Sequence, residues 1–323
     1  MTFFKMTASP HMHGEQSTQS IMLDVIIALL PLIGWGVYAF GSRALLVVCV
    51  SVISCVLSEY IYRKLTHKSN SINDLSAVIT GIILALTLPV TVPIWITVIG
   101  GIFAIVIVKQ LFGGLGKNVV NPALAARVFL FTAFPQQLTT FTGFKDRYSL
   151  FVNYDVVTSP TPLTQEMASK PSILDLFIGN HNGSIGEISE MLLLVGFIYL
   201  LYRKVITWHI PVSFIGSVAL ITLIFPQAGA NNIDFMIAQL TTGSLVFGAV
   251  YMATDYVTSP VTSNGRLIYG TGCGLITVFI RYFGGYPEGV SFAILIMNLL
   301  VWYIDMFTKP KVFGGGKNVK AKQ

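Results

Sequence analysis

Apolar runs long enough to cross a bilayer recur from one end of this chain to the other. A hydrocarbon core about 30 Å thick takes about 20 apolar residues as a helix. Ten runs approach that length: 21–40, 44–62, 75–90, 93–109, 119–134, 190–202, 206–225, 237–252, 267–282 and 289–307. The pattern predicts an all-α polytopic membrane protein with about ten transmembrane helices. Only 11% of the 323 residues are charged, against about 25% in a soluble domain. The first run follows a polar stretch and is long enough to span, so it reads as an anchor and not as a cleaved signal. The net charge of +6 fits basic cytoplasmic loops and does not suggest nucleic acid.

Basic residues set the orientation. With the N-terminus in the cytoplasm, the inside segments hold Lys5, Arg63, Lys64, Lys68, Lys109, Lys117, Arg203, Lys204, Arg266, Lys309, Lys311, Lys317, Lys320 and Lys322. The outside segments hold Arg43, Lys145, Arg147, Lys170 and Arg281, and Arg127 lies inside a helix. Fourteen against five puts both termini in the cytoplasm. The expected organisation is a cytoplasmic segment 1–20, a first membrane half 21–134, an external loop 135–189, a second membrane half 190–307 and a basic cytoplasmic tail 308–323.

The two membrane halves echo each other. Thr80-Gly81 and Thr242-Gly243 each open an apolar run, and KQLFGGLGKNVVNPAL (Lys109 to Leu124) resembles RYFGGYPEGVSFAI (Arg281 to Ile294). Five helices per half would make the repeat inverted. Shared membrane-helix composition is the other source of such likeness. The third and fourth runs are split by Pro89 and Pro93, and interrupted helices in transporter-like folds line internal sites.

DVVTSPTPL (Asp155 to Leu163) lies in the long loop, and DYVTSPVTS (Asp255 to Ser263) lies between the eighth and ninth runs. Both read Asp-x-Val-Thr-Ser-Pro, but Thr161 follows the first proline and Val261 the second. A threonine hydroxyl is a poor nucleophile without a base or metal. Its uses here are hydrogen bonding, ion coordination or acceptance of a covalent group from another enzyme. The plainer reading is a surface turn capped by Asp155.

Further motifs extend across the chain: SPHMH (Ser9 to His13), IMLDVIIALLP (Ile21 to Pro31), GGLGKNVVNPALAARVF (Gly113 to Phe129) and TDYVTSPVT (Thr254 to Thr262). Together they resemble the RnfD/NqrB family. That family comprises the RnfD component of the Rnf electron-transport complex and, more distantly, the NqrB component of the sodium-pumping NADH:quinone reductase. The resemblance covers nearly the whole chain. It implies a fold similar to urea and ammonium channels. It also implies a bacterial cytoplasmic (inner) membrane location and an electron-transfer role in a complex coupling ferredoxin:NAD oxidoreduction to Na⁺ or H⁺ translocation. Such a component belongs to an ion-translocating oxidoreductase and is not active alone.

The resemblance also implies covalent FMN, attached by a flavin transferase through a phosphoester to the last Thr of an Asp-x-x-Thr-Ser-x-Thr signal. Thr161 matches that threonine, and Asp155, Thr158 and Ser159 match the motif leading to it. The chain departs from the family at Pro160, where Ala is usual; proline fixes φ and removes an N–H. Val261 lacks the hydroxyl, so the second copy is not an attachment site. The implied partners are other Rnf subunits, including a second FMN-bearing one, the flavin transferase and the lipid bilayer. Lys145, Arg147 and Lys170 are candidates to pair with the phosphate, or ordinary solvated loop charges.

A second flavin, such as non-covalent riboflavin, or an ion path is a further expectation, with Asn121, Arg127, Asp255 and Thr258 as its candidates. Asn121-Pro122 can start or break a helix. Arg127 is either a functional intramembrane residue or one that snorkels to the cytoplasmic side. The glycine loop before Asn121 lacks a Walker motif, since Lys117 is followed by Asn118. Asp24, Glu59 and Asp305, near helix ends, read as structural; His11 and His13 read as contacts to a neighbouring subunit. Cys49, Cys55 and Cys273 lack zinc or iron–sulfur spacing and read as small buried side chains, so no metal site and no catalytic residue are assigned. The rival function is a solute channel or transporter of the urea/ammonium-channel type without a redox role.

Overall fold

The architecture follows from how a long apolar chain disposes of its backbone. In lipid every N–H and C=O needs a partner within the protein, and helices supply it segment by segment. The computed structural model describes residues 17–69, 71–141, 173–179, 183–226, 231–284 and 289–310, and every regular element among them is helical. Asp155, Thr158, Ser159 and Thr161 lie outside the described residues.

Helix α1 (Thr18–Phe40) is capped by Ser17, whose Oγ accepts from the Ser20 N–H at 3.1 Å. Gly41, at φ 82°, ends α1 and starts α2 (Ser42–Leu65). The last helix, α13 (Val290–Thr308), is the third element long and apolar enough to cross a membrane by itself. The other apolar helices are shorter: α3 (Ser76–Leu86), α4 (Ile94–Ile102, continuing as a π-helix over Phe103–Gln110), α5 (Pro122–Ala133), α8 (Glu190–Tyr202) and α9 (His209–Ile224). Small helices α6 (Pro135–Thr139) and α7 (Ile173–Ile178) precede α8.

The run expected at 237–252 is two pieces. Helix α10 (Asn232–Thr241) and helix α11 (Leu245–Phe247, continuing as a π-helix to Met252) meet at 59° across Thr242–Ser244. Helix α12 (Ser263–Phe283) closes the set and packs along α9. In the first half α2 packs on α3 and α4; in the second α9 packs on α10 and α12. Leu23, Leu30, Ile53, Leu57, Ile198, Leu220 and Phe279 point outward, an apolar exterior suited to lipid.

The break between α3 and α4 shows how irregular backbone is kept satisfied. Pro89 and Pro93 prevent continuous helix there. The segment Gly183–Ser189, which the sequence places in the external loop, folds back against the break and is largely buried. The Ile185 N–H donates to the Leu88 carbonyl (3.1 Å) and the Gly186 N–H to the Leu86 carbonyl (2.8 Å). A side chain on Gly186 would place its Cβ 2.6 Å from the Leu86 Cβ. Gly186→Ala is therefore expected to destabilise the protein by about 1–3 kcal/mol, the usual range for overpacking. A lowered midpoint of thermal unfolding in detergent checks this; an unchanged midpoint refutes the close approach.

Charge pairs lock other elements. Asp24 on α1 accepts from Tyr199 Oη (3.0 Å) and from Arg203 Nε (3.1 Å), which ties α1 to the end of α8. Glu59 and Lys109 depart from their expected interfacial and loop positions. Glu59 is fully buried, and the Lys109 ammonium, 2% exposed, donates to it at 2.8 Å and to Ser76 Oγ at 2.6 Å. Gln110 Nε2 adds a bond to the same carboxylate at 2.9 Å. Cys55 and Cys273 are buried as expected, whereas Cys49 faces outward on α2.

Candidate functional site

Where α5 begins, both halves of the chain converge on one cavity. Three glycines with positive φ, Gly113, Gly114 and Gly116, turn the chain after the π-helix. Asn121 then caps α5: its Oδ1 accepts from the N–H of Ala123 (3.1 Å) and of Leu124 (3.4 Å), with Pro122 in the first turn. The Asn121 Nδ2 donates to the Met252 carbonyl at 3.2 Å, at the end of the second π-helix. One cap thus joins the two halves.

Asn298 on α13 extends the joint. Its neighbours fix the amide orientation. The nitrogen faces the Thr258 carbonyl (3.1 Å) and the Tyr269 hydroxyl (2.6 Å), and the oxygen accepts from the Asn121 N–H (3.2 Å). Asn121, Thr258 and Asn298 are all buried.

DYVTSPVTS folds as a capped turn beside this joint. Asp255 accepts from Thr258 Oγ1 at 2.9 Å and from the N–H groups of Tyr256 and Val257. Burial raises the Asp255 carboxyl above its ordinary range, and these hydrogen bonds act against the rise. Tyr256 Oη donates to the Val205 carbonyl, and the Val261 N–H donates to Asp305 Oδ1 at 3.1 Å. Thr262 caps α12 by accepting from the Gly265 N–H at 3.0 Å. In this copy the Asp, the first Thr and the last Thr have turn and capping roles, and Val261 is exposed.

The cavity has an empty volume of ≈ 800 Å³ and is open to solvent. Ile79, Ile83, Val25 and Val250 give it apolar walls. Thr80, Asn118, Asn121, Thr254 and Asp255 supply polar groups, with Lys109 and Tyr251 also at the lining. Apolar walls with a few placed polar groups are the usual lining of a cofactor pocket.

Of the four residues expected at a second flavin or ion path, Asn121 and Asp255 line the cavity, and Thr258 is bonded to Asp255 without lining it. The fourth stands apart. Arg127 lies on α5 almost two turns beyond the cap and does not line the cavity. Nor does it snorkel: it is 5% exposed, and its Nη1 pairs with Glu187 Oε1 at 2.5 Å. Sequence reasoning missed Glu187 and Glu190 altogether, and missed Lys109 and Asn298 as parts of the site. The one local signal was Glu190 at the head of an apolar run, in the sequence SEMLLLVGF.

The fold and cavity define a class: a polytopic helical membrane protein whose broken helices line an open, largely apolar cavity. The family model described as the NQR2, RnfD, RnfE family matches residues 5–314, and the chain belongs to that family. It is 46% identical to the D subunit of the Na(+)-translocating ferredoxin:NAD(+) oxidoreductase complex of Acetobacterium woodii, over 95% of this chain and 94% of that protein. It is 38% identical to the D subunit of the proton-translocating ferredoxin:NAD(+) oxidoreductase complex of Clostridium ljungdahlii, over 96% of each. It is 36% identical to the D subunit of the ion-translocating oxidoreductase complex of Aliivibrio salmonicida, over 98% of this chain and all of that protein.

Proposed function

We propose that this chain is the membrane electron-transfer D subunit of a complex coupling ferredoxin:NAD oxidoreduction to Na⁺ or H⁺ translocation. The observation that carries this is the 46% identity to a protein of that description along 95% of the chain. We further propose FMN joined through its phosphate to Thr161, with Asp155, Thr158 and Ser159 forming the signal read by a flavin transferase. That reading rests on the motif alone.

The external loop 135–189 would carry this FMN, between membrane halves 21–134 and 190–307. The basic-residue balance supports cytoplasmic termini, 1–20 and 308–323, in a bacterial cytoplasmic membrane. Matching packing of α2 on α3 and α4, and of α9 on α10 and α12, supports the inverted repeat. A covalent tether raises the cofactor's effective concentration at its site. Partner subunits, including one with a second FMN, would supply and take up the electrons.

We propose the cavity as the seat of a second, non-covalent flavin, a reading supported by its apolar walls and few polar groups. Asn118, Asn121, Thr80 and Thr254 would hold its polar edge, and Ile79, Ile83 and Val250 would flank the ring. When bound, a flavin supplies one- and two-electron transfer. The protein's own part is to orient the ring, limit water and set the local field. Here the Asp255 carboxyl and the Lys109 ammonium supply opposite charges at the lining.

The test is flavin fluorescence of the denatured protein in a gel. The expected result is a fluorescent wild-type band and a dark Thr161→Ala band of equal protein amount. A dark wild-type band refutes covalent attachment. Solute flux through the flavin-free protein in liposomes would favour the channel reading, which the broken helices also suit.

A further inference from the structure

Helix α8 begins inside the protein. Its 13 residues span about 20 Å, short of a hydrocarbon core of about 30 Å. Tyr202 at its end is exposed, so the missing length falls at its start, where Ser184–Glu190 is buried. Two carboxylates sit there, one turn apart. Glu187, 3% exposed, is bound by the Arg127 guanidinium at 2.5 Å. Glu190, 2% exposed, has neither carboxylate oxygen bonded to any donor among the described residues. The neighbouring Ser189 Oγ is buried and equally without a partner among them.

Among the described residues no cation is bonded to Glu190. Arg127 offsets one carboxylate, and a second ionised carboxylate in a dry interior costs several kcal/mol unless a cation neutralises it. Other charged groups near α8 among the described residues are committed or distant. Asp24 of α1 is bound to Arg203 at the opposite end of the helix. Asp175 of α7 has a partner of its own, and α11 carries no charged residue. Arg43 is anchored on the Val92 carbonyl at 3.2 Å, at the far end of the α3–α4 break. The N-terminus of α8 favours an anion there, since its first N–H groups have no side-chain cap. That helps hold a carboxylate but brings no compensating ion.

We infer that the buried Glu190 carboxylate, beside the Arg127–Glu187 pair, is the seat of one exchangeable monovalent cation, H⁺ or Na⁺. Both ions present the same chemistry, a single positive charge on a carboxylate oxygen. The adjacent Ser189 Oγ can join the shell of a metal ion and is not needed for a proton. The assignment of this ion to translocation rests on the function proposed above; the occupancy of Glu190 does not.

The experiment is carbodiimide labelling of the intact complex in detergent, followed by peptide mass spectrometry. Dicyclohexylcarbodiimide enters apolar sites and converts a protonated carboxyl to a stable N-acylurea. Modification of Glu190 that rises at least tenfold between pH 8 and pH 6 and ignores Na⁺ identifies a proton as occupant. Modification suppressed at least tenfold by Na⁺, but not by K⁺, identifies sodium. No modification of Glu190, or modification indifferent to both, overturns the inference. The readout needs no electron transfer, so it stands even if the proposed function fails. Glu190→Gln, reconstituted with its complex, is expected to lower electron-driven cation uptake at least tenfold. Unchanged uptake would remove Glu190 from the ion's route.

Discussion

Lys109→Met is expected to destabilise the protein by about 3 kcal/mol, the lower end of the range for removing one partner of a buried ion pair. The change strands the fully buried Glu59 carboxylate, leaving it Gln110, Ser71 and the more distant Arg63 at 3.7 Å. Glu59→Gln in the Lys109→Met background is expected to recover most of the loss, because a neutral pair replaces an unbalanced charge. Thermal unfolding of the four proteins in one detergent gives the coupling as a double-mutant cycle. A Lys109→Met protein as stable as the wild type would show that the pair does not hold α2 to the π-helix.

The second large effect is expected at Asn298. Asn298→Val strands two groups, the Asn121 N–H and the Thr258 carbonyl, and takes one partner from the Tyr269 hydroxyl, which keeps Cys273. Each buried unsatisfied group costs about 1–3 kcal/mol. The expected outcome is a clear loss of stability together with loss of the non-covalent flavin, while fluorescence at Thr161 persists. Asn298→Asp keeps the acceptor for Asn121 but removes the donor to Thr258, so it should fall between. Flavin extracted per polypeptide, compared with flavin retained in the gel, separates the two cofactors. Full extractable flavin in a folded Asn298→Val protein would detach this joint from the cavity.

Much of the helical plan was legible because hydropathy and breakers are local. The split at Pro89 and Pro93 is written in the sequence, and Thr242-Gly243 marks the other break, although continuous helix was expected there. The charged clusters were not legible. Glu59 finds Lys109 fifty residues on, and Arg127 finds Glu187 sixty residues on. Nothing in the local pattern around either acid distinguishes a buried partner from a solvated one. The same gap hides that 183–189, within the expected external loop, folds back against the α3–α4 break. The glycines and small side chains of this segment serve a close backbone approach. DYVTSPVTS was half legible: Asp-x-x-Thr predicts the turn, but not that Asn298 would join it to α5.

The pairing of Gly183–Ser189 with the α3–α4 break also orders events during synthesis. The Leu86 and Leu88 carbonyls reach the membrane long before their partners exist. At about 5–20 residues per second, the chain segment bearing Ile185 and Gly186 is made on the order of ten seconds later. During that interval the first half holds two acceptors that lipid cannot satisfy. The insertion machinery, or water retained within it, has to shelter this break until α8 arrives. The first half therefore completes its backbone hydrogen bonding at this break only once Gly186 has been made.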